Sequence, residues 1–192
     1  ITLITIIRDC IDNLKLINWN MNINNIINII GFQLCWWSCV LFAKTDYYYT
    51  GPFFMACFIF FHLWKVSKKN FEIKLILIFS ILGTVIDSLI MQTKILSYEG
   101  LYSSALPIAP LWITAMWCGF AATVNHSMSW LDKKWFLSVI LGAVFGPLSY
   151  ITAAKFEAIS LSSDITIVVV VLAVVWGLSM PLIFWVNGKI KI

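Results

Sequence analysis

Phe79-Ser80-Ile81-Leu82-Gly83-Thr84-Val85-Ile86-Asp87-Ser88-Leu89-Ile90-Met91 is an apolar run with a single carboxylate inside it. With the residues just before it, the run is long enough to cross a hydrocarbon layer, which takes about 17–25 residues as a helix. An acid at such a position costs about 2.5–3.5 kcal/mol on insertion scales, so Asp87 asks for a partner or a purpose. A neutral carboxyl there can donate to Gln33 or to a backbone carbonyl and simply hold helices together. A charged one is the basis of a proton relay, a substrate contact or general acid/base work.

The rest of the chain resembles that stretch. Of its 192 residues, 61% are hydrophobic, 16% aromatic and only 11% charged. Soluble domains carry about 25% charged residues, so this chain has too few to cover a water-facing surface. Apolar segments fall at about 24–43, 51–66, 73–92, 106–126, 134–154 and 166–187, separated by compact polar stretches. Backbone groups in lipid must be satisfied within their own segment, and runs this long do so as helices rather than barrel strands. The expected architecture is all-α, a bundle of six transmembrane helices in one domain, 21–192.

Basic residues set the expected orientation. Arg8, Lys15, Lys65, Lys68, Lys69, Lys74, Lys133, Lys134, Lys189 and Lys191 fall on one side, and only Lys44, Lys94 and Lys155 on the other. Ten against three predicts both termini in the cytoplasm. Trp64, Trp130, Trp135 and Trp185 then lie near cytoplasmic ends and Trp112 near an outer end, as interfacial tryptophans do. Residues 1–20 mix Arg8, Asp9, Asp12 and Lys15 with isoleucines and leucines. They are expected to be a peripheral or poorly ordered extension, with a surface-lying amphipathic helix as the alternative. Met21 looks like a natural start, and no small-residue cleavage site of a signal peptide follows the first apolar run.

Depth groups the polar residues inside the apolar runs. At about 1.5 Å per residue, Gln33 lies near the midplane, and Asp87, Ser149 and Tyr150 toward the outer side. His62, Asn125 and His126 lie toward the cytoplasmic side. Asp87 and His126 differ in depth by roughly 20 Å, which removes them as a catalytic dyad. The candidate catalytic residues are Asp87, His126 and Asn125, and the candidate substrate contacts are Gln33, His62, Ser149 and Tyr150. In the cytoplasmic layer His126 would be acid or base, Asn125 an orienting donor, and Lys133 or Lys134 an attractor for lipid phosphate. The plain alternative is a helix end meeting water and headgroups.

Gly146-Pro147 marks a kink, and Pro107 and Pro110 shape the start of the fourth segment. The five cysteines (Cys10, Cys35, Cys39, Cys57, Cys118) form no CxxC pair. With two histidines and no HExxH, no metal is expected. No cofactor is expected either, because there is no GxSxG elbow and no phosphate-binding glycine loop. Nothing suits nucleic acid. The expected partners are the lipid bilayer, a lipid or acyl-chain substrate, and a second copy or another membrane protein.

Several segments together resemble one family. They are Gly31-Phe32-Gln33-Leu34-Cys35-Trp36-Trp37, Val85-Ile86-Asp87-Ser88, Ala109-Pro110-Leu111-Trp112, Asn125-His126-Ser127 and Gly146-Pro147-Leu148-Ser149-Tyr150. The chain from about Met21 to Lys189 is similar to the domain of unknown function 2878, DUF2878. That resemblance implies a small polytopic protein of a Gram-negative inner membrane and brings no established activity. It also implies a neighbourhood of lipid-modifying enzymes, since genes resembling cyclopropane-fatty-acid synthases often lie beside such members. The extension before Met21 departs from the family's short N-terminus.

Three functions follow as expectations, and the sequence does not decide whether the protein is an enzyme. The first is a lipid-handling membrane protein, modifying a fatty acid or phospholipid or serving an enzyme that does. The second is a small proton- or cation-coupled transporter using Asp87. The third is a structural subunit of a membrane complex.

Overall fold

The computed structural model describes residues 22–102, 106–162 and 164–190. The expected extension, 1–20, with Arg8, Cys10 and Lys15, lies outside the described residues, as does Lys191. Among the described residues six α-helices form: α1 (Ile23–Phe42), α2 (Thr50–Lys65), α3 (Lys69–Gln92), α4 (Leu111–Ala121), α5 (Trp135–Lys155) and α6 (Ile165–Ile190). Two three-residue strands, β1 (Leu96–Tyr98) and β2 (Ile159–Leu161), pair antiparallel with Ser97 opposite Ser160. The described residues are thus all-helical in class apart from this short ladder. By length and composition α1, α3, α5 and α6 are able to cross a membrane.

Large apolar side chains point outward on these helices. Phe60 is 75% exposed, Phe136 79% and Leu178 66%. A water-soluble monomer does not leave its exterior this greasy, whereas lipid tails accept it. Trp64, Trp135 and Trp185 are exposed near helix ends, and Trp130 is half-buried in the turns after α4. Trp112 is not exposed: its ring is buried and its indole N–H donates to the Glu99 carbonyl at 2.9 Å.

Two helices depart from the expected spans. α3 begins at Lys69, four residues before the expected boundary at 73, and so takes in Glu72. A glutamate in a first turn suits the positive end of the helix dipole, which offsets the polarity that suggested a loop. α4 has only 11 residues, about half of the expected 106–126. Pro110 sets its start, since the residue cannot donate to a preceding turn. Beyond Ala121 the chain breaks into tight turns that lead to a 3-10 turn at Ser129–Leu131.

Those turns are largely packed in protein, a setting that keeps irregular backbone away from lipid. Asn28 of α1 supplies what the broken helix lacks. Its amide nitrogen donates to the Ala122 carbonyl at 3.1 Å, and its oxygen accepts from the Ser127 hydroxyl at 2.7 Å and the Ser127 N–H at 3.4 Å.

α1 to α4 form one group, in which α1 packs on α2, α3 on α4, and α4 on both α1 and α2. α5 and α6 form an antiparallel hairpin whose mutual packing is the most extensive among the described residues. Gly142 and Gly146, four residues apart on α5, make that approach possible. A methyl group at either position would overlap Trp176 of α6. Small residues at this spacing let membrane helices come together backbone to backbone. The hairpin joins the four-helix group where α3 meets α6 and through the β1–β2 ladder. α1 and α5 flank the space between the two bodies without packing closely on each other.

Candidate functional site

Asp87 is 1% exposed and accepts three hydrogen bonds from three different elements. The Tyr98 hydroxyl of β1 donates to Oδ1 at 2.6 Å, and the Tyr150 hydroxyl of α5 donates to the same oxygen. The Trp117 indole N–H of α4 donates to Oδ2 at 2.6 Å. These donors replace the water the carboxyl gave up, which is how a buried acid becomes tolerable. No ion pair reaches Asp87 among the described residues.

Packing fixes the donors in turn. Trp117 lies parallel to Trp176, with ring centroids 4.8 Å apart and planes 4° apart. Its ring covers Gly83 on α3, one turn before Asp87, where a methyl group would overlap the indole. Next to this group Thr84 and Thr114 share a 2.8 Å hydrogen bond between α3 and α4. The Ser88 hydroxyl accepts from the Ala109 N–H at 2.9 Å.

A cavity of about 630 Å³ opens in the cleft between the four-helix group and the hairpin. Its walls are mainly aromatic and aliphatic, including Phe32 and Trp36 of α1, Met116 of α4, Phe145 of α5 and Trp176 of α6. Asp87, Tyr150, Gln33 and Ser149 contribute polar groups to the wall, as do Thr152 and Ser127. Asp87, Gln33, Ser149 and Tyr150, grouped by depth in the sequence, therefore line one space. Of the other three, Tyr150 alone bonds to Asp87, and the Ser149 hydroxyl donates back to the Gly146 carbonyl at 2.7 Å.

A second polar cluster forms around Glu72. Glu72 and Asp87 are 15 residues apart on α3, or about 22 Å along its axis. His62 at the end of α2 and His126 in the turns after α4 each bring Nε2 to 3.5 Å from the Glu72 carboxyl, on opposite oxygens. The two imidazole rings meet edge to face with centroids 4.6 Å apart. Asn125 donates to Glu72 Oε1 at 3.1 Å, and Asn187 of α6 donates to the Asn125 oxygen at 2.8 Å. One donor atom from each of His62, Glu72 and His126 lies within 4.8 Å of the others, a set able to hold a metal ion.

The structure thus keeps Asp87 and His126 in separate clusters and brings His62, Asn125 and His126 together. Lys134 stands apart from them, its ammonium 5.6 Å over the Trp130 ring. Sequence reasoning did not single out Glu72, Tyr98, Trp117, Asn28 or Asn187. For Glu72 a signal existed: Glu72, Ile76, Phe79, Gly83 and Asp87 recur every three or four residues and share one buried face. For Tyr98, placed in a loop between spans, no local pattern points to Asp87.

No curated protein and no solved structure matches this chain. A family model does, over residues 25–182, and that stretch contains both clusters except for Asn187. The chain belongs to the family described as protein of unknown function (DUF2878).

Proposed function

We propose that this protein holds one amphiphilic lipid-class molecule in the cleft between α1 and α5, with the apolar chain on the aromatic walls and the polar end at Asp87 and Tyr150. The observation that carries the reading is the 630 Å³ cavity, largely apolar with a carboxyl and a phenol at one part of its wall. Its volume falls within the roughly 300–1,000 Å³ usual for small-molecule sites, and a few convergent polar groups in an apolar pocket fix orientation. Asp87 and Tyr150 can bind a hydroxyl or cationic head, or pass a proton to it, as a lipid-modifying enzyme or its accessory requires.

In this reading the chain crosses a bacterial inner membrane six times with both termini inside. The ten-to-three distribution of basic residues supports the orientation. α2 and α4, at 16 and 11 residues, complete their crossings through the non-helical residues that flank them. The Asp87 end of the cleft then faces outward.

The test is extraction and mass spectrometry of lipid that accompanies the protein in mild detergent. Wild type is expected to retain about one molecule per chain of a single lipid class. Leu141→Trp, which fills the cavity from α5, is expected to lower that several-fold while leaving the helical circular dichroism intact. Equal retention by the two proteins, or no enrichment over an unrelated membrane protein, would refute the reading.

A further inference from the structure

We propose that His62, Glu72 and His126 bind one divalent transition-metal ion of the zinc or ferrous class. The three residues come from α2, α3 and the turns after α4, and no sequence motif joins them. Folding nevertheless brings one donor atom from each within 4.8 Å of the others. Two imidazoles and a carboxylate form the protein half of many open zinc and non-haem iron sites.

The spacing argues against a hydrogen-bonded trio. Each Nε2 lies 3.5 Å from a different Glu72 oxygen, beyond the 2.7–3.2 Å of an ordinary N–H···O bond. Ligand atoms that share a tetrahedral ion at about 2.0–2.1 Å are roughly 3.3 Å apart, so small side-chain rotations would draw the set, here within 4.8 Å, around an ion. Nε2 of His62, Nε2 of His126 and Oε2 of Glu72 are shielded from solvent, and none has a hydrogen-bond partner among the described residues. Leaving three buried polar atoms unpaired is costly, and a metal ion satisfies all three at once.

The surroundings fit a ligand set held in place. Asn125 orients the Glu72 carboxylate, and Asn187 orients Asn125 from α6. Such outer partners tune affinity and fix ligand geometry. The His126 side chain is 27% exposed while those of His62 and Glu72 are nearly enclosed, so an ion enters past His126. Three protein ligands leave at least one position for water or a substrate oxygen. Imidazole donors select against magnesium and calcium. None of the three residues lines the cleft, so the site stands independently of the lipid reading.

The experiment uses the full chain in detergent, stripped with chelator and then titrated with zinc, with cobalt as the spectroscopic probe. Wild type is expected to bind one zinc per chain and to show cobalt d–d bands that zinc abolishes. Glu72→Gln and His126→Ala are expected to lose stoichiometric binding, and Asn125→Ala to weaken it about ten- to a hundredfold. Zinc should also slow modification of His126 by diethyl pyrocarbonate in wild type, a readout that needs no variant to fold. Absence of cobalt bands in folded wild type would overturn the proposal, as would zinc uptake unchanged in a folded Glu72→Gln.

Discussion

Two phenols and an indole converge on Asp87, and each is itself a buried group that needs an acceptor. The carboxyl therefore anchors its neighbours as much as they shelter it. Removing it strands three donors, at about 1–3 kcal/mol for each buried group left unpaired. Asp87→Ala is expected to lower the melting temperature in detergent sharply. Asp87→Asn keeps an oxygen for Tyr98 and Tyr150 but sets an NH₂ against the Trp117 N–H, a loss of one pairing rather than three. Thermal melts that place Asn at or below Ala would contradict this account of the network. Asp87 was conspicuous in the sequence because a charge in an apolar run is costly whatever surrounds it. Its donors were not, since tyrosine and tryptophan are ordinary in membrane proteins and only the fold shows which acceptor they meet. Tyr150 was found through depth, Tyr98 and Trp117 were missed, and Glu72 was lost to a helix boundary set four residues late.

Among the elements, α4 shows where apolar pattern and helix length part company. Residues 106–126 read as a span by hydropathy, yet helical hydrogen bonding covers only Leu111–Ala121. The missing length is not visible locally because its compensation lies on another helix. Asn28, an unfavourable residue for a lipid-facing helix, meets both a carbonyl and a hydroxyl that the shortened helix leaves free. Asn28→Leu raises the apolarity of α1 and should still destabilise the protein, by about 1–3 kcal/mol for each buried group left unpaired. Hydrogen exchange across 122–128 is expected to speed up in the same variant. An unchanged or higher melting temperature would mean that the turns are satisfied without Asn28. The other helices were legible because their apolar runs and hydrogen-bonded lengths coincide within a few residues.

For the whole molecule, the contacts that bridge its two bodies at the end near Asp87 are modest and varied. Lys44, after α1, pairs with Glu157, after α5, at 2.7 Å, and both side chains are well exposed. The hydrogen bond from Lys44, and then its charge, hold the Glu157 carboxyl below its usual range. A carboxylate so lowered contributes stability above its unfolded value and loses that contribution as pH falls through the folded one. Wild type should melt slightly higher than Glu157→Gln at neutral pH, and the gap should close in acid and in high salt. A gap that persists in acid would assign the effect to something other than this pair. Beside it, Trp37 of α1 meets Phe156 edge to face at 5.2 Å, and the β1–β2 ladder joins the same two bodies. No hydrogen bond or ion pair among the described residues joins α1 directly to α5. At the end near Glu72 the Asn187 amide of α6 donates to Asn125 after α4, so the two bodies are tied at both ends while the side between α1 and α5 carries no such tie. On the lipid reading proposed above, a guest would slip in sideways through that seam, its head meeting the fixed donors around Asp87. Such an entry suits a molecule already lying in the bilayer and needs no detour through water.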